Sequence, residues 1–245
     1  LLGQNVNAFS FEGQKLSDLI FEISKIKNLK RIRYTTSHPI DFSLDLIEAH
    51  KDCEKLMPMI HLPVQSGSDK ILKAMNRKHN INEYMNIIEK LKKINPNIKF
   101  SSDFIIGYPG ETNEDFKKTV KLMKKVEFIN SYSFIFSARP GTPAFYIDGI
   151  DQKEAKERLI KFQLVADKIK INYKKSLINK KVKVLFENKL KKENMYFGRD
   201  EHFNSVIVSS NKCLIGKIEE VKILKSNQNT LVGEIVNMNK TNYAA

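Results

Sequence analysis

Cysteine is scarce in this chain of 245 residues, which holds only Cys53 and Cys213, 160 positions apart. Zinc sites and iron–sulfur clusters are held by several cysteines at short spacings such as CxxC. Because the sequence has no such pair, we expect no metal ligands in this chain. Two isolated thiols are typical of a reducing cytoplasm, and we expect both side chains to be buried as small hydrophobic groups.

Long apolar runs are absent as well. No stretch approaches the roughly 18 residues that span a bilayer, and the sequence does not open with a basic segment followed by an apolar leader. Hydrophobic residues make up 41% and charged residues 29% of the chain, as in globular proteins with a full core. The composition therefore predicts a cytoplasmic protein without a membrane partner.

Acidic residues are outnumbered, because 42 Lys and Arg face 28 Asp and Glu and give a net charge of +14. A general drift of Lys-, Asn- and Ile-rich sequences toward basic composition is one explanation. The other is a polyanionic partner, most simply nucleic acid. Residues 179–245 hold 12 basic and 7 acidic groups, so this segment alone carries +5.

Strand and helix patterns alternate along the first part of the chain. Apolar residues recur every three or four positions in 16–26, 42–51, 82–94, 113–126 and 151–177. Short β-prone runs stand between them at 31–36, 56–64, 99–106 and 132–136. Strands that alternate with helices at this spacing predict an α/β domain with a parallel sheet over residues 1–178.

From Lys180 onward the apolar period changes to two. Short apolar runs at 182–186, 206–208, 218–223 and 231–235 are separated by Gly, Asn and Ser. This pattern predicts a small antiparallel β-barrel over residues 179–245.

Polar side chains interrupt the apolar strands near their carboxyl ends. His61 lies in one strand, Gln65 and Ser66 follow it, and Ser102 and Asp103 lie in the next. In a barrel of parallel strands this end collects ligands and reacting groups. Mutual hydrogen bonding inside the core is the alternative, because buried polar groups need partners. The glycine-rich loop 107–112 then joins a strand to a helix, where free backbone N–H groups can meet a ligand.

Basic and aromatic residues suggest a second kind of contact. Arg77 lies in a turn and Arg139 follows the last strand of the predicted sheet, so each could meet an anion or be an ordinary solvated charge. In the small domain, Tyr196 and Arg199 belong to a segment that interleaves aromatic and cationic side chains. Such segments bind single-stranded or loop RNA by stacking and phosphate attraction. Alternatively, the aromatic rings fill the barrel.

Taken in order, several motifs resemble the radical S-adenosylmethionine methylthiotransferases. They are Leu2-Gly3-Gln4-Asn5-Val6, Arg33-Tyr34-Thr35-Thr36-Ser37-His38-Pro39, His61-Leu62-Pro63-Val64-Gln65-Ser66-Gly67-Ser68, Met75-Asn76-Arg77 and Ser102 to Thr112. The Arg139-Pro140-Gly141-Thr142-Pro143 loop and the glycines of the terminal domain agree with the same family. Within the family, the sequence is most similar to the enzymes that modify N6-isopentenyladenosine next to the tRNA anticodon.

The resemblance implies a fold and a chemistry. The fold would be strands two to six of a partial (βα)6 radical-SAM barrel, followed by a TRAM-like RNA-binding barrel. The complete enzyme would cleave S-adenosylmethionine reductively and methylthiolate carbon 2 of the adenine. Residues implied to face S-adenosylmethionine or the reacting base are Gln4, Asn5, Ser37, His38, Gln65, Ser102, Asp103 and Gly107. Those implied to contact the RNA substrate are Arg77, Arg139, Tyr196 and Arg199.

The resemblance also implies cofactors and partners. Enzymes of this family hold two [4Fe–4S] clusters, whose cysteines we expect upstream of Leu1, so this chain alone should be inactive. The implied partners are the anticodon stem-loop of tRNA and an electron donor such as flavodoxin or ferredoxin, with the enzyme a monomer. Three alternatives remain: a related enzyme acting on threonylcarbamoyl-adenosine in tRNA, one acting on a ribosomal protein, and a non-catalytic RNA-binding protein.

Overall fold

The computed structural model describes residues 1–35 and 37–236. The chain divides into two compact units, Leu1–Ile169 and Lys170–Ala245. The boundary predicted from the change of apolar period, between residues 178 and 179, stays a prediction. The last residues of the predicted barrel, 237–245, lie outside the described residues.

The first unit is built from helices around a parallel sheet. Its helices are α1 (Leu16–Ser24), α2 (Leu44–Asp52), α3 (Asp69–Ala74), α4 (Ile81–Ile94), α5 (Asn113–Val126) and the start of α6 (Gln152–Ser176). Its strands are β1 (Ser10–Phe11), β2 (Gln14–Lys15), β3 (Met59–His61), β4 (Lys99–Ile106) and β5 (Asn130–Ile135). Strands β1 and β2 form a short hairpin, whereas β3, β4 and β5 form the sheet, in that order.

The sheet has fewer regular strands than the sequence predicts. Among the described residues, the segment predicted as a strand at 31–36 contributes only a parallel bridge between Ile32 and Leu56. The α/β prediction is confirmed, because helices and parallel strands alternate along the unit. The strand between α2 and α3 is also short, since regular pairing covers only β3 of the predicted 56–64.

Side-chain caps fix where the long helices begin. Asn80 accepts a hydrogen bond from the Glu83 N–H at 2.9 Å at the start of α4, and the Glu83 carboxylate accepts from the Asn80 N–H. Thr112 and Asp115 make the same reciprocal pair at the start of α5. Each pair satisfies two backbone donors that the first helical turn leaves open.

Aromatic rings fill the space between the sheet and the helices. Phe104 on β4 is fully buried, and its ring centroid lies 5.5 Å from that of Phe128 and 4.7 Å from that of Phe162 on α6. Aromatic pairs at these separations add to the stability that burial alone supplies. The sheet face that carries Phe104 therefore forms the core.

A polar network joins the loop after β3 to α5. The Gly67 N–H donates to Thr119 Oγ1 at 2.9 Å, and Ser68 Oγ donates to Asp115 Oδ1 at 2.6 Å. A Cβ on Gly67 would lie 2.5 Å from Thr119 Cα, so only glycine fits this close approach. Burial alone would raise the pKa of Asp115, but hydrogen bonds from Ser68 and Thr112 outweigh it and lower that pKa.

The second unit is a closed barrel of five strands. They are β6 (Lys181–Lys189), β7 (Met195–Arg199), β8 (Ser205–Ser209), β9 (Ile218–Ser226) and β10 (Thr230–Ile235). Their order around the barrel is β10-β8-β7-β6-β9. The predicted barrel is therefore confirmed, with β7 as a strand that the apolar pattern did not reveal.

One pair of strands corrects the expectation of a purely antiparallel barrel. β10 pairs with β8 in parallel, from Thr230 opposite Ser205 to Gly233 opposite Val208, and the other pairs are antiparallel. A closed ring with an odd number of strands cannot alternate direction all the way round. At least one neighbouring pair must run parallel, and here it is β8 with β10.

The two cysteines differ in exposure. Cys53 is buried, whereas Cys213 is exposed in the turn that precedes β9, so the expectation that both are buried is wrong for Cys213. Its neighbour Leu214 fills the barrel core instead. Across residues 1–35 and 37–236, no helix combines the length and apolarity needed to cross a membrane.

Candidate functional site

A cleft of about 720 Å³ opens in the first unit at the carboxyl ends of β4 and β5. Four residues that the sequence singles out meet there: Gln65, Arg77, Asp103 and Arg139. They are far apart in sequence, but parallel strands end at the same edge of a sheet and bring their following loops together. We call this space the strand-end cleft.

Asp103 provides the carboxylate of the strand-end cleft. Its Oδ2 lies 3.4 Å from Nε2 of His61, whose Nδ1 lies 2.9 Å from Ser101 Oγ. The Asp103 side chain is 30% exposed, so the His61 contact leaves part of the carboxylate accessible. A half-exposed carboxylate in a cleft can accept hydrogen bonds from hydroxyl or amino groups of a ligand.

Gln65 enters the cleft from a strained turn after β3. Its φ is 73°, in the left-handed region that residues other than glycine rarely adopt. The backbone holds it there, because the Gln65 N–H donates to the Asp103 carbonyl at 3.0 Å and its carbonyl accepts from the Ile105 N–H at 2.9 Å. Strain of this kind collects at ligand sites, where the surrounding structure fixes it.

The other wall of the cleft is apolar and aromatic. Phe134 on β5 is 59% exposed and lines the cleft beside Ile105. Tyr108 and Phe136 pack with ring centroids 4.7 Å apart, and the Tyr108 hydroxyl donates to the Ala74 carbonyl at 2.9 Å. An apolar wall facing a few polar groups is the usual composition of a small-molecule site, and flat rings suit a heteroaromatic ligand.

Ser102 and Gly107 lie near the cleft but have structural partners. Ser102 is fully buried, and its Oγ accepts a hydrogen bond from the Val64 N–H at 2.9 Å. Gly107 has a φ of 74°, and a Cβ there would lie 2.9 Å from the Ala155 Cβ. Neither residue lines the strand-end cleft.

A buried ion pair that the sequence did not reveal braces the loop after β4. Arg158 Nη1 donates to Glu111 Oε1 at 2.7 Å, and its Nη2 donates to Glu154 Oε1 at 2.6 Å. Glu111 Oε1 also accepts from the Gly107 N–H at 3.2 Å. Burial raises the pKa of Glu111, although Arg158 and the Gly107 N–H act in the opposite direction. In the sequence, this ion pair is indicated only by the spacing of four residues between Glu154 and Arg158, which favours an ion pair on a helix.

A second group of predicted residues lies on the segments 4–7 and 37–41. Asn5 Nδ2 donates to Asp41 Oδ2 at 2.6 Å, and the Asn7 side chain makes two hydrogen bonds of 2.8 Å with the backbone of His38. These bonds hold the segments 4–7 and 37–41 together. Ser37 is buried, and its Oγ has no hydrogen-bond partner within the described ranges 1–35 and 37–236, whereas Gln4 is exposed.

In the second unit, the two predicted RNA contacts differ in burial. Tyr196 belongs to the barrel core and is 6% exposed, because alternate residues of β7 point inward. A ring buried this far has no face free for stacking on a base, which corrects its predicted role. The Arg199 guanidinium lies partly exposed over the Phe203 ring at 4.1 Å and within 3.4 Å of the Glu187 carboxylate.

Metal binding has no site among the residues that the structure describes. No group of three or more His, Cys, Asp or Glu side chains in 1–35 and 37–236 is placed to hold a metal ion. Cys53 and Cys213 form no disulfide and lie in different units.

Comparison with known proteins finds a family model and several relatives that are similar to this chain. Residues 12–123 match the radical SAM superfamily. A tRNA-2-methylthio-N(6)-dimethylallyladenosine synthase of Pelagibacter ubique is 55% identical over 250 residues, which cover 100% of this chain and 56% of that protein. The synthase of a Wolbachia from Brugia malayi is 48% identical over 95% of this chain and 54% of its own length.

The chain thus spans about half the length of the curated relatives it matches. Among solved structures, coproporphyrinogen III oxidase from Escherichia coli, a radical SAM enzyme, shares 12% identity with a TM-score of 0.49, over 88% of this chain and 55% of that one. Residues 12–123 thus match the radical SAM superfamily, and the whole chain is similar to about half of each of these synthases.

Proposed function

We propose that this chain is part of a tRNA methylthiotransferase that methylthiolates carbon 2 of N6-isopentenyladenosine next to the anticodon. The observation that carries the proposal is 55% identity over the whole chain to a tRNA-2-methylthio-N(6)-dimethylallyladenosine synthase. The strand-end cleft supports it, because the cleft joins a carboxylate, an amide and two arginines to an aromatic wall. This donor and acceptor set suits a nucleoside.

The residues of the cleft fit S-adenosylmethionine. The accessible Asp103 carboxylate can accept hydrogen bonds from ribose hydroxyls, and the exposed Phe134 ring can cover the adenine face. When bound, this cofactor supplies hydrogen-abstraction chemistry in radical SAM enzymes. Gln65 and Asp103 would orient it, while Tyr108 and Phe136 would exclude water from the apolar end of the cleft.

The iron–sulfur clusters of the family do not fit the residues described here. Neither cysteine has a second thiolate beside it, and no other group of side chains in 1–35 and 37–236 is placed as a metal site. We propose that the complete enzyme holds its two [4Fe–4S] clusters with residues outside this chain. Electrons would come from a donor such as flavodoxin or ferredoxin.

For the substrate, we propose the anticodon stem-loop of tRNA, bound by a monomeric enzyme. Residues 1–178 would form strands two to six of a partial (βα)6 barrel, and residues 179–245 a TRAM-like RNA-binding domain. Arg77 and Arg139 at the cleft and Arg199 on the barrel would contact the RNA. The net charge of +14 favours a polyanionic partner.

The RNA contact predicts a salt-dependent affinity that Arg199→Ala should change. We expect binding of an anticodon stem-loop to the 245-residue chain to weaken steeply with salt. Each neutralised phosphate contributes about 0.7–0.9 to the slope of log affinity against log salt concentration. Arg199→Ala should flatten that slope by about one phosphate, as measured by fluorescence anisotropy at several salt concentrations.

The matched control changes the charge beside Arg199 in the opposite sense. Glu187→Gln removes the carboxylate 3.4 Å from the Arg199 guanidinium and should tighten binding. Equal slopes for the wild-type chain and Arg199→Ala would remove Arg199 from the interface. Binding that does not depend on salt would contradict the RNA partner and favour the protein-substrate alternative.

The activity itself is tested by analysis of tRNA nucleosides. Expression of the complete enzyme in a bacterial strain that lacks its own synthase should restore the 2-methylthio derivative of N6-isopentenyladenosine, measured by liquid chromatography and mass spectrometry. The 245-residue chain alone should restore none, because it brings no cluster ligands. Methylthiolation of threonylcarbamoyl-adenosine, or of a ribosomal protein, in place of this product would overturn the proposed substrate.

A further inference from the structure

Arg77 carries a charge that the described residues do not neutralise. The residue is half-buried, and burial lowers the pKa of its guanidinium. Within 1–35 and 37–236, its side chain has no hydrogen-bond or ion-pair partner, and its backbone N–H donates to the Leu72 carbonyl at 2.8 Å. Burying an unpaired charge is costly, so a partly buried arginine without a carboxylate indicates a missing anion.

Two histidines lie close enough to Arg77 for its charge to lower the pKa of each ring. The rings of His38 and His79 meet edge to face with centroids 5.7 Å apart. His79 is 5% exposed, and neither of its ring nitrogens has a hydrogen-bond partner in the part of the chain that the structure describes. Nδ1 of His38 accepts from the Ile40 N–H at 3.3 Å, so the neutral ring carries its proton on Nε2, as a donor.

The carboxylates that face this group are already engaged. Asp41 raises the pKa of His38 and accepts a hydrogen bond of 2.6 Å from Asn5. Glu83 raises the pKa of His79 and accepts a hydrogen bond of 3.0 Å from the Asn80 N–H. The Val64 backbone also favours charged His79. Among the described ion pairs, neither carboxylate is paired with the Arg77 guanidinium. The cluster therefore offers donors and positive charge in excess.

We propose that Arg77, His38 and His79 form an oxyanion site beside the strand-end cleft, which takes a carboxylate or phosphate group of the cofactor or the substrate. Arg77 lines the cleft, so a ligand there can reach the site. A guanidinium offers a planar fork of N–H groups that matches both oxyanions. The existence of the site does not depend on the proposed function. The assignment of its oxyanion to the cofactor or to the RNA rests on that function.

Occupation of this site should be linked to proton uptake. Burial is the largest cause that lowers the pKa of each histidine, and Arg77 lowers both further. An oxyanion between them favours the charged rings and raises both pKa values. Affinity for the anion should therefore increase as the pH is lowered through the pKa values that the two histidines have in the bound state.

The test is a histidine titration by NMR on the 245-residue chain with inorganic sulfate as the probe. The chain has five histidines, so single substitutions can assign every ring signal. Saturating sulfate should raise the pKa of His38 and His79 by about one unit or more, and leave His50 and His202 unchanged. The shift should vanish in Arg77→Gln and persist in Lys78→Gln, which removes the neighbouring exposed charge.

Three further ligands identify the source of the oxyanion. A shift with S-adenosylmethionine but none with its decarboxylated form supports a carboxylate. A shift with an anticodon stem-loop RNA, and none with S-adenosylmethionine, supports a phosphate. An unchanged titration with sulfate, the same shift in Arg77→Gln, or a response to sulfate but to neither biological ligand (an adventitious ion only) would overturn the site. These readouts need no turnover, so failure of the proposed activity would be seen separately in the nucleoside analysis.

Discussion

Asp103→Ala in the complete enzyme should slow S-adenosylmethionine cleavage by about 10- to 150-fold while the protein stays folded. The estimate corresponds to loss of one charge-assisted hydrogen bond, worth about 1.5–3 kcal/mol. The Asp103 carboxylate is accessible in the strand-end cleft and contacts only His61 at 3.4 Å among the described ion pairs. The measurement is the rate of 5′-deoxyadenosine formation after cluster reconstitution, with circular dichroism to verify folding.

Two further variants test whether the effect of Asp103→Ala is specific to the strand-end cleft. Gln65→Ala removes an amide that lines the same cleft and should also slow cleavage. Asp52→Ala removes an exposed carboxylate at the end of α2 and should leave the rate unchanged. If folded Asp103→Ala and Gln65→Ala both cleaved the cofactor at the wild-type rate, neither residue would belong to its site.

Arg158→Met should lower the free energy of unfolding by about 3–5 kcal/mol, because it leaves Glu111 as an uncompensated buried charge. The Glu111 side chain is fully buried, and Arg158 supplies its ion-pair partner at 2.7 Å. The control is Lys117→Met, which removes the exposed pair with Glu114 at the same distance of 2.7 Å and should cost less than about 1 kcal/mol. Urea titration of both variants measures the difference.

The pH dependence of Arg158→Met follows from Glu111. Burial already raises the pKa of this carboxyl, and removal of Arg158 raises it further. A group whose pKa is higher in the folded state stabilises the fold at low pH and loses that contribution as pH rises through the folded value. The deficit of Arg158→Met should therefore shrink on acidification, and Glu111→Gln/Arg158→Met should recover part of it. A deficit that is equal at all pH values would show that lost packing causes it.

Apolar periodicity predicts much of the first unit. β4 and α5 have the predicted bounds, Lys99–Ile106 and Asn113–Val126, because strong caps and uninterrupted patterns mark their ends. The strand predicted at 31–36 fails as a regular strand, since its described residues, 31–35, show strand pairing only at Ile32. Strand pairing depends on neighbours that the local sequence does not specify.

The candidate site is also predicted only in part from local sequence patterns. The rule that ligands collect at strand ends correctly brings Gln65, Asp103 and Arg139 together. It cannot separate Asp103 from Ser102, because adjacent strand residues point to opposite faces, and Ser102 points into the core. Pairings across long sequence distances, such as Glu111 with Arg158, leave almost no local pattern.

The single parallel pair of the barrel has a consequence for how that unit folds during synthesis. β10 is the last of the five strands in chain order, yet it lies between β8 and β9. Until it is translated, both neighbours present open edges, and unpaired edges invite association with other chains. A chain cut before Thr230 should therefore aggregate through β8 and β9, although most of the barrel's apolar residues have already been made.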